Sequence, residues 1–589
     1  MQARRRNHWG WGYEDQRFSP EQVRAAAGGL ATHLGLGEQM EVEDPVAIEA
    51  VKLPPPRISP PAALAELCAD DSHARASHAW GKSYPDVVRG FRGSFEYAPD
   101  FVAYPREEHE VEQLLEWCVG QHVAAIPYGG GTSVVGGVRP EVDPSYNGAI
   151  TLDLGALDRV LEVDQVSRAA RIQAGASGPE LERQLAEHGL TLRHFPQSWE
   201  LATLGGWIAT RAAGHFATVW THIEDFVESV RAITPTGEWE SRRLPGSGAG
   251  VSPDRMLAGS EGILGVITEA WMRVQPRPTH RRSAGVSFTD FATGAECVRE
   301  LSQSGLNPAN CRLIDERESK MTMVGDGGSA LLVMGFESTD HSVDAPMERA
   351  LEICREHGGQ AGERGPGGGA GARAAGSGGG PAGGGGGAGS GGAGAGAGSG
   401  GGGPAGGGGG AGSGGGGAGG DAGGAGVDAV NTWRETFLAA PYLRDVFVAM
   451  GAICESFETA ITWERFPALH AHVMAAAEQA MREVRAQPGG VSCRFTHVYP
   501  DGPAPYFTVL AKGRRGEELE QWAAIKRVVS DAIVESGGTI THHHALGRDH
   551  RPWYDRQRPE PFAAALRGAK QAVDPQGIMN PGVLVDPLR

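Results

Sequence analysis

The sequence predicts a mixed α/β nucleotide-binding arrangement, and three observations lead to it. Phe101-Val102-Ala103-Tyr104 and His122-Val123-Ala124-Ala125-Ile126-Pro127 read as two short apolar strands. Between them, Pro105 opens a stretch that carries Val111, Leu114, Leu115 and Cys118 at helical spacing. The second strand runs directly into Gly129-Gly130-Gly131, so the first unit is strand, helix, strand, glycine loop.

The chain has 589 residues, of which 91 are glycine, and 39 of those fall in the 62-residue stretch 365–426. The remaining 527 residues carry 52 glycines, an ordinary globular composition with length for two or more domains. A net charge of −18 argues against a broad nucleic-acid surface but leaves room for a local arginine pocket. Seven cysteines with no CxxC pair fit a reduced compartment, and neither a disulfide framework nor zinc is expected. No run of 18 apolar residues spans a membrane. The basic start, Met1 to Arg6, is followed by Asn7-His8-Trp9-Gly10 rather than an apolar core, so no signal peptide is expected. The expected setting is soluble and cytoplasmic, with a peripheral membrane contact left open.

Residues 1–95 read as an arm packed on the body. Ser19-Pro20-Glu21-Gln22 is a capping-box start, Val23, Leu30 and Leu34 mark an apolar face, and Gly35 and Gly37 end the helix. Five prolines from Pro54 to Pro61 predict an extended connector. Beyond the glycine loop, strands are expected at 149–154, 159–174, 227–234 and 266–274, with helices starting near Gly178 and Leu201. Strand and helix alternate again: strands at Ser283 to Phe288 and Leu331 to Met334, helices at Gly294 to Ser304 and through Met347, Leu351 and Ile353. The glycine tract has no apolar residue larger than alanine, so it predicts a disordered insertion in a surface loop. Mixed helix and strand resume at 427–589.

Three glycine-bearing segments carry candidate chemistry. In Pro127-Tyr128-Gly129-Gly130-Gly131-Thr132-Ser133 the glycines let the backbone turn sharply and aim N–H groups at one anion, typically a pyrophosphate. Neither a Walker loop nor GxGxxG is present. Pro196-Gln197-Ser198-Trp199-Glu200-Leu201-Ala202-Thr203-Leu204-Gly205-Gly206-Trp207, followed by Thr210-Arg211-Ala212-Ala213-Gly214, places hydroxyls and paired glycines at a helix start. Gly259-Ser260-Glu261-Gly262-Ile263-Leu264-Gly265-Val266-Ile267-Thr268 brings a third backbone close to a bulky or anionic group. His542-His543-His544 is unusual. On a strand, His542 and His544 would share one face and His543 the other.

In this order, the three glycine segments resemble the FAD domain of the vanillyl-alcohol-oxidase-type flavoenzymes. Asp574-Pro575-Gln576-Gly577-Ile578-Met579-Asn580-Pro581-Gly582 is similar to the C-terminal signature of their hydroxy-acid dehydrogenase branch. The resemblance implies an α+β, two-domain flavoprotein. An arm (1–95) precedes an FAD-binding domain (96–278) and a cap (279–541) containing the insert 365–426, and residues 542–589 return to the FAD domain. No histidine lies between Pro127 and Val138, where some members tether the flavin, so non-covalent FAD is expected.

The histidine run narrows the resemblance. The hydroxy-acid dehydrogenases usually read Glu-His-Gly there, whereas His-His-His looks like the alkyl-dihydroxyacetone-phosphate synthases of ether-lipid synthesis. Asn7-His8-Trp9-Gly10-Trp11-Gly12-Tyr13, Cys311-Arg312-Leu313-Ile314-Asp315, Tyr442-Leu443-Arg444-Asp445, Glu455-Ser456-Phe457-Glu458-Thr459, Trp463-Glu464-Arg465 and Pro505-Tyr506-Phe507 are similar to that family's segments.

The resemblance implies that Arg444 binds a substrate phosphate and that Tyr506 moves a proton beside the substrate ketone. It also implies that His542, His543 and His544 supply a positive field lowering the phenol's pKa, and that Arg312 is catalytically important. It further implies that acyl-dihydroxyacetone phosphate exchanges its acyl group for a fatty alcohol without net redox, with the central-ring nitrogen of FAD forming a covalent adduct with the substrate carbon rather than carrying electrons. The expected partner is a lipid-like small molecule. No metal or nucleic acid is expected, a homodimer is left open, and a hydrophobic tunnel should hold the alkyl chain. The alternatives are an FAD-dependent 2-hydroxy-acid (D-lactate or glycolate type) dehydrogenase or oxidase, and a flavin-free scaffold.

Overall fold

The first sheet forms where the sequence places its glycine loop. Val123–Tyr128 and Gly148–Asp153 pair in parallel, Phe101–Ala103 lies parallel on the other side of Gly148–Asp153, and Cys68–Ala69 closes the order antiparallel. Buried on both faces, these strands read as continuous apolar runs. The helix against them, Glu108–Gln121, buries Val111, Leu114, Leu115 and Cys118. It starts three residues after Pro105 because the Glu107–Glu110 capping box sets its N-terminus. The computed structural model describes residues 4–37, 40–322, 327–361 and 440–587; the glycine tract, expected as a disordered insert at 365–426, lies outside them.

A five-stranded antiparallel sheet follows, in the order Val160–Asp164, Ala169–Gln173, Val266–Arg273, Val227–Thr234, Gly237–Glu240. The stretch 159–174, expected as one strand, is a hairpin. Asp164 Oδ1 accepts from the N–H groups of Val166 (3.0 Å) and Ser167 (2.9 Å), and Arg168 adopts φ 53°, which turns the chain. A helix does begin at Gly178. The one expected near Leu201 begins at Leu204, because Thr203 caps it and residues 198–202 form a turn.

The third layer is a seven-stranded antiparallel sheet: Gln360–Ala361, His280–Phe288, Ala330–Ser338, Asn310–Ile314, Gly489–Tyr499, Gly502–Lys512 and Ala452–Glu458. Helices Phe291–Gln303, Phe466–Glu483 and Glu518–Glu535 bury Val298, Leu469 and Val529 into one core with Phe495 and Phe507. The C-terminal signature is tied to the first sheet. Ala125 N–H donates to Ile578 O (2.8 Å), Asn580 N–H donates to Ala125 O (3.0 Å), and Lys570, fully buried, donates to Ile263 O (2.8 Å) and Met579 O (2.6 Å).

Candidate active site

A cavity of about 380 Å³ runs between the glycine segments and the third sheet, within the range of small-molecule sites. Each of the three glycine segments reaches it: Pro127 to Val134, then Gln197, Ser198, Ala202, Thr203, Thr210, Ala212 and Ala213, then Glu261, Gly262, Gly265 and Ile267. Glycine is required in the first loop. A Cβ on Gly130 would sit 2.0 Å from Leu201 O, one on Gly129 2.2 Å from Thr203 Oγ1, and Gly131 has φ +67°. Among the described residues, nothing accepts a hydrogen bond from the N–H groups of Gly130 to Val134, so the loop offers a row of free donors to an anion. These residues fit the pyrophosphate of a dinucleotide flavin.

Long-range contacts hold the first and third glycine segments. Arg6, from the N-terminal arm, donates to Gly130 O (2.9 Å) and Gly129 O (3.0 Å) and lies 3.6 Å from Asp153. Glu261 accepts from the N–H groups of Leu546 (2.8 Å) and Gly547 (2.7 Å), and burial pushes its carboxyl up to about 7 against those donors.

The remaining sequence candidates of this half stand behind the wall. Ile263, Leu264 and Val266 are core residues, and Trp199 packs against that core. Leu201 buttresses Gly130 through its carbonyl. Arg211 pairs at the surface with Glu224 (2.7 Å). Glu200 accepts from Tyr442 OH (2.8 Å) and Gln16 (3.1 Å), joining this wall to the helix at 440–449 and to the arm.

Tyr506 sits in the middle of three paired strands, opposite Arg494 on one side and Glu458 on the other. Its ring lies 3.8 Å beneath the Arg494 guanidinium, a cation–π contact. Arg494 is paired with Glu318, which the Asp315-capped helix Glu316–Met321 carries in. Burial raises the Tyr506 phenol above its ordinary value, and Arg494, Ser456 and Arg444 oppose that without reversing it. Arg312 lines the same cavity, and burial, then Arg494, lowers its guanidinium to about 10. Arg444 reaches the cavity from the helix at 440–449, with Nη1 donating to Lys82 O. Leu30, Leu34, Met321, Phe447 and Leu510 give the cavity an apolar end.

The histidine run is a bend, not a strand, and one carboxylate explains why. Glu458 accepts from the backbone N–H groups of His542 (2.8 Å), His543 (3.0 Å) and His544 (2.8 Å), and Thr541 Oγ1 adds a fourth donor. Burial works against the Glu458 charge, but the adjoining His543 and these donors hold its carboxyl well below the usual range. The rings diverge. His543 and His544 line the cavity, their centroids 6.3 Å and 5.4 Å from that of Tyr506. His542 turns away and pairs with Tyr499 OH (2.7 Å). Ring nitrogens of His497, His542 and His543 lie within 4.8 Å of one another.

Burial pushes the His544 imidazole down to about 3 and that of His542 well below its ordinary value. Both are neutral near pH 7, and Arg494 and Arg444 are cations that lower the Tyr506 phenol. A histidine depressed on folding gives stability that is intact above its unfolded value of 6.5 and lost as pH falls toward 3. The melting temperature should therefore drop between pH 6.5 and 4, and His544→Gln should flatten that slope. An unchanged slope contradicts a buried neutral His544. Glu458→Gln, which places an amide against the N–H donors, should destabilise by on the order of 2–3 kcal/mol in denaturant titration; a loss under 0.5 kcal/mol would show that Glu458 does not hold the bend.

Sequence reasoning assigned no role to Arg494, Glu458, Arg6 or Lys82. For Arg494 a signal exists. Pro500-Asp501 is the two-residue hairpin turn, and pairing back from it, with the bulge between Phe495 and His497, brings Arg494 opposite Tyr506. For the others no local pattern exists, since each acts across more than 75 residues of chain or more.

Comparison with known proteins agrees with this geometry. Residues 99–241 match the FAD binding domain family, and residues 277–365 and 415–584 match the C-terminal domain of FAD linked oxidases. The alkyldihydroxyacetonephosphate synthase of Dictyostelium discoideum is 27% identical over 554 residues, 89% of this chain and 80% of that protein. The synthase of Trypanosoma brucei brucei is 28% identical over 574 residues, 91% of this chain and 82% of that protein. A solved alkyldihydroxyacetonephosphate synthase structure superposes with a TM-score of 0.73 at 24% identity, covering 98% of each chain, so the fold is shared. With its FAD-type loops, its three-histidine bend and its paired tyrosine and arginine, the chain belongs to the alkyldihydroxyacetonephosphate synthase family, within the vanillyl-alcohol-oxidase-type FAD enzymes.

Proposed function

We propose that this chain exchanges the acyl group of acyl-dihydroxyacetone phosphate for a fatty alcohol, the ether-forming step of ether-lipid synthesis, without net redox. The reading is carried by one observation: Arg444, Tyr506, His543 and His544 face the same cavity as the flavin-type loops, and that cavity has an apolar end. When bound, oxidised FAD would supply an electron-poor ring nitrogen able to take up the substrate carbon once its proton is removed, so that the carboxylate can leave and the alcohol enter at that carbon without net redox.

The chain's own groups do the rest. Arg444 offers forked donors that do not titrate, suited to the substrate phosphate. Tyr506 is protonated at rest and hydrogen-bonds the substrate near its ketone. The phenol first gives its proton to solvent, and the phenolate, favoured by Arg494 and Arg444, then takes the proton from the adjacent carbon and becomes the phenol again. His543 and His544 orient the departing carboxylate and entering alcohol by hydrogen bonds. Arg312 keeps the charge of this wall positive. Leu30, Leu34, Phe447 and Leu510 exclude water around the alkyl chain. The lipid substrate sets the work near a membrane surface, although among the described residues no helix is long and apolar enough to cross one.

The test is an anaerobic incubation of purified protein with acyl-dihydroxyacetone phosphate and labelled hexadecanol, with no electron acceptor. Label in alkyl-dihydroxyacetone phosphate and stoichiometric release of fatty acid are expected. Product that forms only with an acceptor, or flavin bleaching by D-lactate or glycolate, would transfer the protein to the hydroxy-acid dehydrogenases. FAD should also leave the protein on acid precipitation, because the first loop holds no histidine to tether it; flavin pelleting with the protein would contradict a non-covalent site.

A further inference from the structure

Lys82 is buried, with 7% of its surface exposed, yet it lines the cavity. Its backbone is fixed on both sides. The N–H donates to Ser133 O (2.6 Å) at the end of the glycine loop, and the carbonyl accepts from Arg444 Nη1. Gly81 permits this approach, since a Cβ there would lie 2.5 Å from Ser133 O. The side chain therefore departs from the junction between the flavin-type loop and the arginine assigned to phosphate.

Among the described residues, no carboxylate lies within 4.0 Å of the Lys82 ammonium and no hydrogen bond satisfies it. The charged groups that face it are Asp445, Asp86 and Arg6. Each carboxylate has one oxygen engaged elsewhere, Asp445 Oδ2 by Trp11 N–H (2.9 Å) and Asp86 Oδ1 by Arg139 (2.6 Å), while Asp445 Oδ1 and Asp86 Oδ2 accept no hydrogen bond among the described residues. Burial brings the lysine down to about 8, only partly offset by Asp445. A buried ammonium in no direct ion pair gains from an anion that enters beside it.

We propose that Lys82 binds a phosphate group in this cavity, as a second cation beside Arg444. For the substrate phosphate this rests on the proposed exchange reaction; the pyrophosphate of FAD is the other source of the same chemistry. Lys82 sets the affinity for the anion and touches no step of bond exchange.

The experiment uses the FAD-loaded full chain and Lys82→Met, which keeps the length of the side chain and removes its charge, with Lys82→Arg as the charge-retaining control. Calorimetric binding of dihydroxyacetone phosphate and of inorganic phosphate is measured, together with FAD affinity by flavin fluorescence and KM for acyl-dihydroxyacetone phosphate. Lys82→Met should weaken dihydroxyacetone phosphate binding and raise that KM by 10-fold or more, leave KM for the alcohol and FAD affinity unchanged, and be largely restored in Lys82→Arg. Weaker FAD binding with unchanged dihydroxyacetone phosphate binding would assign Lys82 to the pyrophosphate and overturn the substrate arm. Unchanged affinity for all of them would overturn the proposal. Because ligand binding is read without turnover, a wild-type protein that binds phosphate through Lys82 but performs no exchange refutes the reaction and not the site. Should Lys82→Met not fold, protection of Lys82 from acetylation by dihydroxyacetone phosphate in the wild type decides the matter, and equal acetylation with and without it counts against the assignment.

Discussion

Tyr506→Phe is expected to lower kcat for the exchange by roughly 10²- to 10⁴-fold, the range of a positioned acid–base group, while FAD content stays at the wild-type level. The ring stays beneath Arg494, so packing and the cation–π contact survive and only the hydroxyl is lost. Its effect should fall on kcat more than on KM, because the phenol acts on the proton beside the ketone and not on the phosphate. Stopped exchange of that substrate proton with solvent, followed by NMR in D₂O, is the sharper readout. A Tyr506→Phe enzyme that still exchanges it at the wild-type rate would remove Tyr506 from the mechanism. Arg494→Met should act on the same step through the phenol. Its pH–rate profile should shift toward higher pH, since losing the guanidinium removes the largest influence that opposes the upward push of burial.

Gly130→Val is expected to yield protein that is folded and colourless. The Cβ alone would lie 2.0 Å from Leu201 O and 2.8 Å from Ala202 Cα, both backbone, so the loop must move away from the turn that supports it. The free N–H donors then lose their common focus, and FAD affinity should fall by at least about 10²-fold, since several charge-assisted hydrogen bonds are lost together. Arg6→Ala should give a smaller loss of the same kind, because it removes the clamp on the Gly129 and Gly130 carbonyls and leaves the loop intact. Equal flavin content in Gly130→Val and wild type would mean that the loop does not hold the cofactor.

The difference between these residues also explains how much could be read in advance. The glycine loop is local. Val123–Tyr128, Gly129 to Gly131 and the helix Glu108–Gln121 follow from apolar spacing and backbone freedom within thirty residues, and the fold's first layer is legible there. Strand ends fixed by side-chain turns, such as Asp164 splitting 159–174 into a hairpin, are less so, because alternation alone does not mark the turn. The catalytic half depends on long-range register. Tyr506, Arg444 and the histidines were found through family resemblance, but their electrostatics were not. His542 and His544 are buried beside a carboxylate that binds their backbone, so these two rings are neutral hydrogen-bonding groups rather than the field that ionises the phenol. Arg494 provides that field. It does so from a strand whose bulge one must know to place it opposite Tyr506. Glu458 and Lys82 carry no signal in their own neighbourhoods, and only the packed chain brings them to the site.

The central claim is that FAD here acts on carbon without carrying electrons away, and one measurement bears on it most directly. The visible spectrum of the anaerobic holoenzyme is recorded before and after acyl-dihydroxyacetone phosphate is added, and again after a fatty alcohol. Loss of the oxidised-flavin band with the first addition and its return with the second, with no acceptor present and one fatty acid released per flavin, is the result predicted. A spectrum unmoved by acyl-dihydroxyacetone phosphate but bleached by a 2-hydroxy acid, and restored only by an electron acceptor, would contradict it.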